Sequence, residues 1–147
     1  MNMVFEKVIL VLAIVSVSCL ILGCAGYGTS DPSDGTVGSD GYADVSVKEA
    51  KEMIDSGDVF LLDVRSVGEF ETEHIEGAVN INVNELSSRL DEVPRDETIL
   101  VYCRSGSRSV TASNILVDAG YTDVYNMLGG INEWKAAGYP YVSGSSS

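Results

Sequence analysis

Residues 98–109 read Thr98-Ile-Leu-Val-Tyr-Cys103-Arg-Ser-Gly-Ser-Arg108-Ser. The first five are β-branched, aliphatic or aromatic without a break, as in a strand covered on both faces. Small residues then take over at Ser105, Gly106 and Ser107. From about Ser109 to Ala119 the pattern turns helical, and Gly120 stops it. A buried strand that passes through a glycine-bearing loop into a helix is a piece of a parallel βαβ unit.

The neighbouring segments continue that alternation. Upstream, Val59–Val64 (VFLLDV) is a second unbroken apolar run of strand length. Before it, Ser46-x-x-Glu49 has capping-box spacing and opens a helix with Val47, Ala50, Met53 and Ile54 on its apolar side. Gly57 ends that helix. Between the two strong strands lie a short helix around Glu69, Phe70 and Glu71, a short strand at Ala78–Ile81, and a helix over Asn84–Leu90 with Asn84 as its cap. Downstream, Val124-Tyr125 is a last short strand, and Gly129-Gly130 precedes a helix over Ile131–Ala137. The expected fold is an α/β domain over residues 44–142, with a small, mainly parallel central sheet flanked by helices.

Charge and cysteine content narrow the function. Lys and Arg total 9 against 22 Asp and Glu, a net charge of −13. That balance argues against nucleic acid, whose binding needs cations to neutralise phosphates. Three cysteines with no Cys-x2-Cys pair, and His74 as the lone histidine, point to neither a disulfide scaffold nor a zinc site. No metal and no cofactor are expected.

The start of the chain reads as an export segment. Val8–Leu22 carries no charge and follows a short head containing Lys7, so residues 1–23 are expected to be a signal peptide or an N-terminal anchor. Ile21-Leu22-Gly23-Cys24 resembles the lipobox of prokaryotic lipoproteins, which implies a lipidated Cys24 at the mature N-terminus. The alternative is an uncleaved anchor helix from about Val8 to Gly26. Both place the remainder on the extracytoplasmic face of the cell membrane. Residues 24–43 are rich in Gly, Ser and Asp and read as a flexible tether, and residues 143–147 as a flexible tail.

Only one strand end carries an obvious reactive group. Cys103 sits where a buried strand turns into a helix, and a loop of small residues lets backbone N–H groups converge there. Such a nest at a helix start binds anions and stabilises a thiolate. Arg104 and Arg108 add positive charge in a chain that is otherwise acidic.

Cys103-Arg-Ser-Gly-Ser-Arg108 resembles the active-site loop of the rhodanese (thiosulfate sulfurtransferase) family. Three further blocks agree in order: Leu62-Asp63-Val64-Arg65 with Glu69-Phe70, His74-Ile75-Glu76-Gly77-Ala78-Val79-Asn80-Ile81, and Leu128-Gly129-Gly130-Ile131 with Trp134. One departure is Glu76, where members commonly have Pro. The resemblance implies sulfur transfer through a persulfide on Cys103, from a small anionic donor such as thiosulfate to a thiol or cyanide acceptor. It implies that Arg104, Ser105, Gly106, Ser107 and Arg108 bind substrate, with Asp63 and Arg65 supporting the same crevice. His74, between Glu73 and Glu76, is read as turn-stabilising or solvent-facing, and Trp134 and Tyr102 as packing.

Two other functions use the same residues. A non-enzymatic persulfide carrier would hand its sulfur to a partner. A cysteine phosphatase or arsenate reductase also uses a thiolate in an anion loop, but phosphatase loops have Cys-x5-Arg spacing, and here four residues separate Cys103 from Arg108. A single domain of this size is expected to be a monomer or weak dimer.

Overall fold

A computed structural model describes residues 41–144. The signal or anchor segment 1–23, Cys24 and the tether up to residue 40 lie outside the described residues, as do residues 145–147. Five strands form one sheet: β1 (Ala43–Val45), β2 (Val59–Asp63), β3 (Val79–Asn80), β4 (Thr98–Tyr102) and β5 (Val124–Met127). Their order is β1-β5-β4-β2-β3, and every pairing is parallel. The helices are α1 (Val47–Ser56), α2 (Val67–Thr72), α3 (Val83–Leu86), α4 (Ser107–Asp118) and α5 (Gly130–Ala136), with a 3-10 turn at Leu90–Glu92.

The two unbroken apolar runs occupy the middle of the sheet, where both faces are covered. Along β4 the side chains alternate as a pleated strand requires. Ile99 and Val101, continued by Cys103, join Leu62, Ala112 and Leu116 in one layer, while Leu100 and Tyr102 join Ala50, Ile131 and Trp134 in the other. Ile99, Leu100, Val101 and Tyr102 are all fully buried. Burial of each aliphatic side chain of this size contributes roughly 1.5–3 kcal/mol. The Tyr102 hydroxyl is not stranded by this, because it accepts a hydrogen bond from the Ile75 N–H at 3.2 Å.

Local signals account for the helix starts. Ser46 caps α1 in a reciprocal box, its Oγ accepting from Glu49 N at 3.3 Å while the Glu49 carboxylate accepts from Ser46 N at 2.7 Å. Gly57 closes α1 in the left-handed conformation, φ +82°. The same Ser-x-x-Glu spacing recurs at Ser66 and Glu69 and starts α2.

Four expectations need correction. Ala43 belongs to β1 and not to the tether, and the preceding Tyr42 is also buried. β1 forms because β5, 82 residues away in sequence, pairs with it, with Asn126 Nδ2 donating to Asp44 Oδ1 at 2.7 Å. The cap of α3 is Asn82, whose side chain accepts from Asn84 N, and the helix ends at Leu86. Leu90 instead starts the 3-10 turn. α4 begins at Ser107, two residues before the apolar pattern shows, because its first turn packs nothing apolar inward.

Candidate active site

β4 ends at Tyr102, and the next residue is Cys103, 1% exposed at the carboxyl edge of the sheet. The chain then reverses through Gly106, whose φ of +102° is open to glycine and strained for other residues. That reversal aims the Gly106 N–H at the cysteine sulfur, at 3.1 Å from Sγ. The Ser109 hydroxyl lies 3.5 Å from Sγ and 2.9 Å from the Gly106 carbonyl oxygen. Burial opposes ionisation of the thiol, but hydrogen bonds from the Ser109 hydroxyl and from the Ser109, Ser105 and Gly106 N–H groups outweigh it. The Cys103 pKa is lowered below its ordinary value.

The loop rests on the start of α5. Ile131 N–H donates to the Cys103 carbonyl at 2.9 Å, and Asn132 N–H to the Arg104 carbonyl at 3.1 Å. Contact this close explains Gly130. A Cβ there would stand 2.4 Å from the Cys103 carbonyl oxygen, and its φ is +59°.

The two arginines of the loop have separate fates. Arg108 is held by Glu69 of α2 in a two-pronged pair, Nη1 to Oε2 at 2.7 Å and Nη2 to Oε1 at 2.9 Å. Hydrogen bonds from Arg108, opposed by partial burial and assisted by Ser66, bring the Glu69 pKa down to about 2. Arg104 is exposed, and its guanidinium has no hydrogen-bond or ion-pair partner among the described residues.

Asp63 and Arg65 form a buried pair, 0% and 2% exposed, with Nη2 to Oδ2 at 2.6 Å. Arg65 Nη2 also donates to the Glu73 carbonyl at 2.7 Å. Asn80 Nδ2 donates to the carbonyls of Asp63 and Arg65 at 2.9 and 3.1 Å. The pair thereby fastens the end of β2 to the end of α2 and to β3, and only the Arg65 edge reaches the crevice beside the loop.

Ser105 and Ser107 are exposed, and among the described residues their hydroxyls have no protein partner. The Ser105 N–H, not its hydroxyl, contributes to the thiolate. His74 does not face solvent. It is 3% exposed, stacked on Phe70 at 4.0 Å, with Nδ1 2.9 Å from the Phe70 carbonyl oxygen. Among the described residues no group of three or more His, Cys, Asp or Glu side chains is arranged to hold a metal.

Three contributors escaped the sequence reading. Ser109 was hidden in a run of small residues, Glu69 serves both the cap of α2 and Arg108, and Gly130 supports the loop from the far end of the chain. The Ser66-x-x-Glu69 spacing and the Glu69-Phe70 and Gly129-Gly130 blocks of the resemblance are the signals that mark two of them, without giving their roles.

A family model for the rhodanese-like domain matches residues 46–137. The chain belongs to the rhodanese-like domain family. This rhodanese-like domain is 33% identical over 95 residues to the thiosulfate sulfurtransferase GlpE of Coxiella burnetii, covering 65% of this chain and 89% of that protein. It is also 33% identical over 92 residues to the putative sulfur carrier protein YrkF of Bacillus subtilis, covering 62% of this chain and half of that longer protein. Among solved structures, the rhodanese-related protein of Thermoplasma volcanium superposes with a TM-score of 0.63 at 30% identity, covering 67% of this chain and 96% of that one.

Proposed function

We propose that this protein is a sulfurtransferase that carries sulfane sulfur on Cys103, taking it from thiosulfate or a similar anionic donor. The observation that carries the reading is the Cys103 sulfur itself, cradled by the Gly106 N–H and the Ser109 hydroxyl at the start of α4. The thiolate attacks the outer sulfur of thiosulfate. A new S–S bond forms, the original S–S bond breaks, and sulfite leaves with its electron pair. The persulfide anion takes up the N–H donors that served the thiolate, as preorganised donors stabilise charge without reorganising. Attack by cyanide or a thiolate on the outer sulfur then regenerates the Cys103 thiolate. Arg104, next in sequence to Cys103 and without a partner among the described residues, draws the donor, while Arg108 braces the loop through Glu69 and adds its field at the sulfur.

Incubating the purified protein with thiosulfate and following its mass tests this reading. One sulfur atom gained on Cys103, and steady thiocyanate production that Cys103→Ser abolishes, are expected. Absence of both overturns it. The likeness to a putative sulfur carrier favours a second reading, in which the persulfide forms but small acceptors give no steady turnover. The −13 charge and the leader-like residues 1–23 support a further proposal, that the domain is exported and held at the membrane through Cys24 or an uncleaved anchor.

A further inference from the structure

The reactive loop carries two cations, and one carboxylate makes them unequal. Arg104 has no partner among the described residues. Arg108 lies in the first turn of α4 and interacts electrostatically with the Cys103 sulfur. Both oxygens of Glu69 close on its guanidinium, and the Ser66 cap holds the same carboxylate from the other side. With its pKa at about 2, Glu69 stays charged over the whole range in which a cysteine is a thiolate. Glu69 and Arg104 also line one cleft of about 300 Å³ between α2 and α5. The other cations of that cleft are already matched, Arg65 by Asp63 and Lys135 by both oxygens of Glu73. An anion approaching the loop from this side meets one unmatched guanidinium, that of Arg104. Without Glu69 it would meet two.

We propose that Glu69 is a specificity-determining residue for the sulfur donor, setting the loop toward donors of one negative charge and against donors of two. The inference rests on the persulfide chemistry of Cys103. Attraction to a fixed charge grows with the charge of the ligand, so offsetting Arg108 takes more from a dianion than from a monoanion. Glu69 acts through Arg108, as a positioning residue, and takes no part in the bond changes. Thiosulfate, a dianion, and methanethiosulfonate, a monoanion, differ in charge and share the reacting bond. With either donor the Cys103 thiolate attacks the outer sulfur, a new S–S bond forms and the donor's S–S bond breaks. Sulfite or methanesulfinate leaves with the electron pair.

The test measures kcat/KM for each donor with cyanide as the common acceptor, at low ionic strength, where exposed charges are least screened. The readout is the ratio of thiosulfate to methanethiosulfonate within each protein, from which the folded fraction cancels. Glu69→Gln, which leaves Arg108 unmatched, is expected to raise the ratio about fivefold over wild type. Arg108→Gln, which leaves Glu69 unmatched, is expected to lower it about as much. A merely structural brace would move both variants the same way, because each substitution breaks the same pair. A ratio that moves in one direction in both, or that does not move in Glu69→Gln, overturns the proposal. Failure of the sulfur-transfer reading looks different, since the wild-type protein then gives no Cys103 sulfur adduct and no turnover with either donor.

Discussion

Glu69 and Arg108 stand 39 residues apart in sequence and meet in a two-pronged ion pair at 2.7 and 2.9 Å. The same Glu69 carboxylate accepts hydrogen bonds from the Ser66 backbone N–H and hydroxyl, at 3.2 and 3.0 Å. One side chain therefore closes the cap of α2 and ties it to the first turn of α4, directly after the reactive loop.

The pair has a defined pH signature. Glu69 has its folded-state pKa lowered to about 2, from an ordinary value of 4.5. Its contribution to stability is full above about 4.5 and is lost as the pH falls through 2. Glu69→Gln is expected to destabilise the protein at neutral pH by up to about 1 kcal/mol, since both partners are about a third exposed. The gap between the two proteins' urea midpoints should close between pH 4.5 and 2. A gap independent of pH over that window contradicts the ion pair.

Ser109 tunes the thiol. Because the Cys103 pKa is lowered by hydrogen bonds against the effect of burial, removal of one donor should raise it. In Ser109→Ala the midpoint for alkylation of Cys103 by iodoacetamide is expected to move to higher pH, and sulfur transfer at neutral pH to slow with it. An unchanged midpoint assigns the stabilisation to the backbone N–H groups alone.

Gly130→Ala places a methyl group 2.4 Å from the Cys103 carbonyl oxygen in a left-handed backbone conformation. Overpacking of this kind costs about 1–3 kcal/mol, beyond the 1–2 kcal/mol of the conformation. Activity should fall with stability, because the displaced atoms belong to the loop. Gly77→Ala is the control. Its φ is +82°, but an added Cβ meets nothing within 4 Å, so only the conformational cost should appear in a denaturant titration.

Asp63→Ala leaves the Arg65 guanidinium buried without its carboxylate. Breaking a buried pair in this way is expected to cost about 3–5 kcal/mol, read from urea unfolding. A loss below 1 kcal/mol would show that the Glu73 carbonyl and the Tyr102 ring, whose centroid lies 5.7 Å from the guanidinium carbon, hold Arg65 unaided.

For the membrane proposal, the N-terminus of the protein purified from its native membrane should begin at a lipid-modified Cys24. An intact Met1 favours the anchor helix.

Where the local signals are strong the structure follows them, and α3 is the exception, capped by Asn82 and ended at Leu86. The runs VFLLDV and TILVY place β2 and β4 inside the sheet, because only a strand covered on both faces buries consecutive residues such as Leu61–Asp63 and Ile99–Tyr102. Ser46 and Glu49 start α1 through bonds three residues apart. Cys103, the small residues after it and the existence of a helix beyond them are legible together, because strand, turn and helix signals follow each other closely, although α4 starts two residues before its apolar pattern.

Tertiary structure decides what depends on distant partners. Ala43–Val45 carries too little apolar pattern to mark a strand, and it becomes one because β5 supplies the hydrogen bonds. Arg104 and Arg108 are equivalent as letters, yet Glu69 claims one and leaves the other free. The support under the loop comes from Gly130, Ile131 and Asn132, and the cleft exists only between α2 and α5. Local sequence encodes where the backbone bends and which residues are apolar. It does not encode which charges meet across elements, as Glu69 meets Arg108 and Glu73 meets Lys135, because that pairing depends on the position of elements that the chain brings together only on folding.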